Sequence, residues 1–243
     1  MRYAIISDIH ANLPALQTVL RDAEAHGCER IVCLGDLAGY GRDHAECLQV
    51  VRERAISCVR GNFDDYASIE VDLSAFGPIM DEAVRQMRGA LTSDDVNWLG
   101  NLPYVTELDG FTIVHATLDS PKRWGYAFDK LAAAASFPYQ NTPLCFFGHT
   151  HIPMAFMWDS VVTGGTYDRL TLQRGKKYFI NPGSVGQPRD NNPKASYAIF
   201  DSGEQTVELR RLDYQKPSGS EGDVVAGAPK PPPPLSGKNA EHF

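Results

Sequence analysis

The stretch from Tyr3 to His10 reads YAIISDIH, a strand-favouring run that ends in the polar residues Asp8 and His10. The same order returns at Ile31–Asp36, IVCLGD, and leucines at helical spacing lie between the two runs, from Leu13 to His26. A strand, a helix and a second strand in this order are typical of a βαβ unit with a parallel strand pair. The stretch therefore predicts an α/β domain whose first strands end at polar side chains.

The rest of the chain continues this pattern and then becomes rich in strands. A third strand is predicted at AISCV, and further helices are predicted at Asp43–Arg54, near Tyr66, at Pro78–Met87 and at Ser93–Leu99, where the sequence TSDD provides an N-cap. The later predicted strands are Tyr104–Leu108, Phe111–His115, Leu144–Phe147, Met154–Trp158, Arg169–Gln173, Tyr178–Asn181, Ser196–Phe200 and Thr206–Leu212. One predicted helix, Tyr126–Ser136, interrupts them. We expect two sheets packed face to face, with helices outside.

Composition excludes several classes of protein. The chain has 243 residues, of which 43% are hydrophobic, and a formal net charge of −7. No run approaches the roughly 18 consecutive apolar residues of a membrane helix. No cluster of Lys and Arg supplies the attraction that long nucleic acid needs. We therefore expect neither a membrane nor a long nucleic acid as partner.

The cysteines and the first residues indicate a cellular compartment. The chain has five cysteines, an odd number with no CxxC pair, and most lie in apolar runs such as IVCLG and LCFFG. The N-terminal residues lack the basic, apolar and small-residue order of a signal peptide. We expect reduced core thiols and a cytoplasmic location.

The chain changes character at its end. Residues 215–243 are rich in Pro and Gly and poor in large apolar residues, which predicts a disordered tail after a single domain at 1–214. The run KPPPP at Lys230–Pro234 favours polyproline II, so docking to a partner is an alternative to a solvated tail.

Seven polar side chains follow predicted strands, at the points where the strands end. Taken singly, an Asp in such a place more often caps a turn, and a His is more often structural. Together, and with Gly beside three of them, they indicate a ligand site, because ligands of open α/β sheets collect beyond the carboxyl ends of the strands. The seven residues are Asp8, His10, Asp36, Asn62, His115, His149 and His151.

The donor types indicate metal ions. Seven oxygen and nitrogen ligands without a thiolate are too many for one tetrahedral zinc, but suit two divalent ions that share a carboxylate. Two ions about 3.5–4 Å apart can clamp the attacking and leaving oxygens of a displacement. Hydrolysis at phosphorus is the reaction best suited to such a pair, because the ions neutralise charge on its oxygens.

The ordered blocks DIH, GD, GNFD, VH and GHTH, which span residue 1 to about residue 212, resemble the calcineurin-like metallophosphoesterases. GDLAGYGRD and NPGSVGQPRD are similar to the small bacterial phosphodiesterases of that family. The resemblance implies a four-layer αββα sandwich of two mixed sheets and a metal-bridging hydroxide as nucleophile. It implies one metal held by Asp8, His10, Asp36 and His151, and a second held by Asp36, Asn62, His115 and His149. Asp36, Asn62 and His115 would act in catalysis, with Mn²⁺ expected first and Fe, Zn²⁺ or Ni²⁺ possible.

One position departs from the family pattern. The third block commonly reads GNH followed by an acid, and its His is thought to protonate the leaving oxygen, but here Phe63 stands in its place and Asp64 follows. We therefore expect a phosphodiesterase acting on small or activated esters. A phosphomonoesterase, a protein phosphatase, a dinucleoside polyphosphate hydrolase or a metal-binding scaffold without turnover remain alternatives. Asp64 is expected either to orient a ligand or to hold the loop.

Substrate contacts are predicted at three residues, Arg60, Arg189 and Tyr40. An Arg fork matches phosphate oxygens, although a solvated Arg is an equal alternative. Tyr40, Trp124 and Tyr126 could stack on a base or an aryl group, or be buried aromatics. Asn12 is expected to cap a helix, and Ser184 to be a turn residue. The expected partner is a small phosphate ester, with a homo-oligomer possible.

Overall fold

The computed structural model describes residues 1–69 and 77–215. Its helices are α1 (Leu13–Ala25), α2 (His44–Glu53), α3 (Asn62–Ser68), α4 (Pro78–Ala90), α5 (Ser93–Gly100) and α6 (Lys130–Ala134). Its strands are β1 (Arg2–Ile6), β2 (Arg30–Cys33), β3 (Ser57–Cys58), β4 (Val105–Leu108), β5 (Phe111–Val114), β6 (Leu144–Phe146), β7 (Met154–Asp159), β8 (Val161–Gly165), β9 (Arg169–Thr171), β10 (Lys177–Asn181), β11 (Ala195–Asp201) and β12 (Thr206–Leu212). The predicted tail lies outside the described residues, apart from residue 215.

The first helix forms as its sequence dictates. The side chain of Asn12 accepts a hydrogen bond from the backbone N–H of Ala15 and caps α1, as expected. Leu16, Leu20 and Ala23, spaced along one face, are buried against the first sheet. The helix ends before Gly27, whose φ of +69° suits a residue without a Cβ.

The first sheet contains the predicted βαβ units. Its strand order is β3-β2-β1-β11-β12-β9. β1, β2 and β3 are parallel, with Ile5 opposite Val32 and Cys33 opposite Cys58. β11 pairs antiparallel with β1 on its other side, so the N-terminal strand lies in the middle of the sheet.

The second sheet packs face to face with the first. Its order is β4-β5-β6-β10-β7-β8, in which β5, β6 and β10 are parallel and the outer strands antiparallel. Residues such as Ile5, Phe111 and Phe146 fill the space between the sheets. α1 to α5 cover the outer face of the first sheet, and α6 with the 3-10 turn at Phe137–Tyr139 covers that of the second. The four-layer αββα sandwich is confirmed.

Two elements differ from the sequence prediction. The helix predicted at Tyr126–Ser136 was too long, because the Asp129 side chain accepts from the N–H groups of Leu131 and Ala132 and starts α6 only at Lys130. The strand β8 was missed, since its two glycines weaken a strand pattern. It pairs with β7 through a turn at Ser160, where φ is +65°.

The five thiols are free, and four of them are buried. Within residues 1–69 and 77–215, every helix is too short or too polar to cross a bilayer.

Candidate metal centre

The seven predicted ligands come together at one edge of the sandwich. Asp8 and His10 follow β1, Asp36 follows β2, His115 follows β5, His149 and His151 follow β6, and Asn62 begins α3. All seven side chains are at most 5% exposed. The parallel strands explain the convergence, because their carboxyl ends lie at the same edge of each sheet.

The first group of ligand atoms belongs to Asp8, His10, Asp36 and His151, which lie within 4.8 Å of one another. His10 Nε2 is 3.0 Å from His151 Nε2 and 3.5 Å from Asp36 Oδ2. His151 Nε2 is 3.3 Å from Asp8 Oδ1. Four donors thus point at one small volume.

The second group belongs to Asp36, His115 and His149, whose ligand atoms also lie within 4.8 Å of one another. His115 Nε2 is 3.4 Å from Asp36 Oδ2 and 3.2 Å from Asn62 Oδ1, so the Asn62 amide joins this group. Asp36 belongs to both groups. Its carboxylate lies where a bridging ligand would.

Main-chain carbonyls orient three of the histidine rings. His115 Nδ1 lies 2.7 Å from the Leu34 oxygen and His151 Nδ1 lies 2.6 Å from the Gln187 oxygen, so each of these nitrogens donates. In the neutral form of either ring, Nε2 then carries a lone pair directed into the site. His149 is turned the other way, because its Nε2 donates to the Trp124 oxygen at 2.9 Å and leaves Nδ1 for the site.

One such lone pair faces another acceptor, which fits a bound cation. His151 Nε2 faces the Asp8 carboxylate at 3.3 Å. Acceptors that face one another in a buried volume repel unless a positive charge lies between them. The donor set of carboxylate, amide and imidazole suits divalent ions.

Burial and charge act in opposite directions on the imidazoles. Burial lowers the pKa of His10 to about 3 and holds the pKa of His149 and of His151 well below the usual value. Burial also lowers the pKa of His115, but the Asp36 and Asp8 carboxylates outweigh it and raise that pKa to about 9. Three rings are therefore neutral near pH 7, the form that binds metal.

The backbone is strained at five of the seven ligands. Asp8, His10, Asp36, His149 and His151 all have φ between +46° and +65°. A left-handed conformation costs a residue with a Cβ roughly 1–2 kcal/mol. Such strain persists only where surrounding structure enforces it, and it is concentrated at functional sites.

Asp64 holds two of the ligand loops together. Its fully buried carboxylate accepts from the N–H groups of Asp36 at 2.8 Å, Leu37 at 3.0 Å and Gly61 at 2.9 Å. Burial, followed by the charge of Asp36, raises the pKa of Asp64 to about 7. Of the two expected roles, the structure favours the second, because Asp64 bonds only to backbone groups of the loops. Gly61 is required here, since a Cβ would collide with the Asp36 backbone and carboxylate.

The segment Asn181–Arg189, here called the closing segment, carries no predicted metal ligand but holds two ligand loops, the one after β1 and the one after β6. Asn181 Nδ2 donates to the Gly148 oxygen at 2.6 Å, next to His149. Ser184 Oγ donates to the Asp8 oxygen at 2.8 Å, and the N–H of Gly186 donates to the same oxygen at 3.0 Å. Ser184 is fully buried and acts as a turn residue, in agreement with the sequence prediction. The NPGSVG pattern was the signal for this segment, although its supporting role was missed.

Arg60 does not face the centre as a free cation. Its Nε donates to Leu102 O, its Nη1 to Asp65 and Tyr104, and its Nη2 to Gly100 O. The guanidinium also lies over the Tyr104 ring at 4.6 Å. These bonds tie the start of α3 to the end of α5 and use donors of the guanidinium, which gives Arg60 a structural role. The substrate contact of Arg60 stays a prediction.

The other predicted contacts lie beside the ligands. The Tyr40 ring lies 4.9 Å from the His10 ring, and Phe63 packs edge-on against both. Tyr126 stacks on His149 at 4.2 Å, and Trp124 lies edge-on to His115 at 5.9 Å. Arg189 lies 5.8 Å from the Tyr40 ring. Aromatic walls and one guanidinium therefore border the candidate centre.

Comparison with known proteins identifies the class. Residues 1–205 match the model of the calcineurin-like phosphoesterase superfamily domain. The chain is 36% identical over 217 residues to an uncharacterised protein of Methanocaldococcus jannaschii, with 87% of each chain covered. The solved structure of a metallophosphoesterase from Sphaerobacter thermophilus superposes with a TM-score of 0.78 at 38% identity, covering 88% of this chain and 89% of that one.

The chain belongs to the calcineurin-like phosphoesterase superfamily and is a metal-dependent phosphoesterase. Among its relatives is the phosphodiesterase YfcE of Escherichia coli, which is 26% identical over 216 residues, covering 83% of this chain and 88% of that one.

Proposed function

We propose that this chain is a phosphodiesterase with two divalent ions, acting on small or activated phosphate esters. The observation that carries the proposal is the shared position of Asp36, whose carboxylate belongs to both groups of ligand atoms. A carboxylate between two sets of donors is the arrangement expected of a dinuclear centre.

The first ion would be held by Asp8, His10, Asp36 and His151, and the second by Asp36, Asn62, His115 and His149. When bound, the pair supplies an activated water for attack at phosphorus and neutralises charge on the phosphoryl oxygens. The carbonyls of Leu34, Gln187 and Trp124 fix the ring orientations, which keeps the ligand atoms aimed at the ions. No side chain acts as the nucleophile in this proposal.

Two observations support a diester substrate. The relative YfcE is named a phosphodiesterase. In this chain, Phe63 lies against His10 and Tyr40 and cannot carry a proton to a leaving oxygen. Without that proton, esters with stable leaving groups are favoured over those that release an alkoxide.

The metal, the partner and the location are part of the same proposal. We place Mn²⁺ first and Fe, Zn²⁺ and Ni²⁺ after it, since this donor set suits several of these ions. A small phosphate ester is the proposed partner and the cytoplasm the proposed location.

The test is a comparison of substrates on metal-loaded protein. Purified full chain is stripped with EDTA, reloaded with each ion in turn and assayed with bis(p-nitrophenyl) phosphate and p-nitrophenyl phosphate. We expect two ions per chain by elemental analysis, diester turnover above monoester turnover, and loss of both with EDTA. Faster monoester turnover would favour a phosphomonoesterase, and no turnover with any ion would favour a scaffold.

A further inference from the structure

The closing segment carries buried polar atoms without a partner. Among the described residues, seven buried side-chain atoms lack a hydrogen-bond partner, and three of them are Gln187 Nε2, Arg189 Nε and Asp190 Oδ1. The first two are donors. Because a buried donor without an acceptor is costly, a pair of them so close together points to a ligand that offers oxygen atoms.

Gln187 and Arg189 lie directly beside a predicted metal ligand. The backbone carbonyl of Gln187 accepts from the His151 ring at 2.6 Å. The backbone N–H of Arg189 donates to the backbone carbonyl of His151 at 3.2 Å. Arg189 Nη2 donates to Gln187 Oε1 at 2.8 Å, which fixes the two side chains as a unit. This leaves the Gln187 amide nitrogen and the Arg189 Nε to bind something else.

The charge of Arg189 has no carboxylate partner in the described part of the chain. The neighbouring acid, Asp190, pairs with Arg211 instead. Arg189 is partly buried. A partly buried guanidinium without a counter-charge is stabilised when an anion binds against it.

Two tyrosines, one beside each ligand group, lie close to the Arg189 charge. Tyr40 packs against His10 of the first ligand group, and Tyr126 stacks on His149 of the second. Burial raises the pKa of both phenols, and the nearby positive charge of Arg189 opposes that rise in each. The guanidinium of Arg189 therefore lies close to aromatic residues of both ligand groups.

We infer that Gln187 and Arg189 form an oxyanion subsite that binds the nonbridging oxygens of the phosphate group at the centre. This inference rests on the proposed function and adds to it the residues that hold the substrate. The free Nε of the Arg189 guanidinium and the free amide nitrogen of Gln187 are donors that phosphate oxygens accept. The subsite contacts substrate but does not ligate metal.

The probe is inorganic phosphate. Its dissociation constant is measured by calorimetry on metal-loaded full chain, for wild type, Arg189→Gln, Arg189→Lys, Gln187→Met and the control Arg169→Gln. Arg169 is an exposed arginine of β9, the edge strand of the first sheet, and is paired with Glu208. Metal content and the unfolding temperature are measured for every variant.

Removing the charge should weaken phosphate binding by about tenfold to a hundredfold, the worth of a hydrogen bond to a charged group. We expect Arg189→Lys to recover part of the loss, Gln187→Met to show a smaller loss, and Arg169→Gln to bind like wild type. For a diester substrate, KM should rise more than kcat falls, with two ions still bound. A purely structural role would lower stability or metal content without this pattern.

Phosphate binding within about twofold of wild type in both Arg189→Gln and Gln187→Met, with metal retained, would overturn the subsite even if hydrolysis is normal. The converse result separates the two proposals. If wild type binds phosphate through Arg189 but hydrolyses no ester with any ion, the subsite stands and the proposed function fails. Should Arg189→Gln not fold, Gln187→Met decides alone.

Discussion

Charged residues are placed differently at the two ends of β1 and β2. At the carboxyl ends of β1 and β2, Asp8 and Asp36 are buried, the backbone is left-handed, and the Nε2 lone pair of His151 faces the Asp8 carboxylate. At the amino ends, beside an open cavity of about 470 Å³, the charges are paired with one another at the surface. Arg30 bonds to Asp109 at 3.0 Å and Arg54 to Glu24 at 2.5 Å.

The difference shows which charges the fold alone explains. Exposed ion pairs are solvated and need no bound ion, and each contributes little to stability. Two buried carboxylates beside a single imidazole of raised pKa, that of His115, are balanced in full only when a further cation binds between them. The substitutions below alter one end or the other and test this comparison.

The largest effect is expected for Asp36→Asn. Loss of the carboxylate shared by both ligand groups should remove most bound metal and lower diester turnover by more than about a hundredfold, above the effect of an outer contact. Elemental analysis and steady-state kinetics on the same sample measure both. The matched control at the other end is Glu24→Gln, which should change neither. Two retained ions with full turnover in Asp36→Asn would remove Asp36 from the bridging position.

Asp64→Asn should give the next largest effect. An amide cannot accept from three N–H groups as a carboxylate does, so the loops that hold Asp36 and Gly61 loosen. We expect metal affinity to fall by about 10–100-fold, as for other outer contacts. A titration with Mn²⁺ measures the affinity, and Asp94→Asn, an exposed carboxylate, is the control. Unchanged affinity would mean that the loops keep their geometry without Asp64.

Phe63→His should change selectivity rather than metal content. A proton donor at this position should raise the turnover of esters that release an alkoxide, relative to p-nitrophenyl esters, by about tenfold or more, toward the 10²–10⁴-fold of a positioned acid. Phe63→Leu is the control, because it loses aromatic packing without gaining a proton. The measurement is the ratio of the rates with an alkyl phosphate ester and with the matching p-nitrophenyl ester. An identical ratio in both variants would show that position 63 does not reach the leaving oxygen.

The smallest effect is expected at the amino end. Arg30→Gln breaks an ion pair whose side chains are more than half exposed, so stability should change by no more than about 0.5 kcal/mol. Thermal unfolding and turnover are the measurements, compared in low and high salt. A loss of turnover here would contradict the division between the two ends.

The sequence predicted the fold class well because its signals are local. Strand runs followed by polar residues and Gly show the strand ends directly, and the seven predicted ligands lie together. Element lengths were harder to predict, as at α6, where one capping residue, Asp129, moved the helix start by four residues. β8 depends on pairing with β7 and gives little signal of its own.

The roles of the two arginines could not be predicted, because they depend on distant partners. Arg60 and Arg189 both stand near motif residues. Arg60 is bonded by groups that come some 40 residues later, at Gly100, Leu102 and Tyr104. Arg189 Nε has no hydrogen-bond partner, and the neighbouring carboxylate of Asp190 pairs with Arg211 instead. Sequence shows the residue type, whereas only the folded chain shows which donors are already used.

The closing segment also has a consequence for biosynthesis. A nascent chain extended to His151 has every predicted metal ligand, but β1 lacks its partner β11 and Asp8 lacks the contacts from Ser184 and Gly186. Those arrive only when about 50 further residues have left the ribosome. The ligands are thus synthesised before the strand and the loop that hold them in place. The centre can therefore assemble only after almost all of the sandwich has been translated.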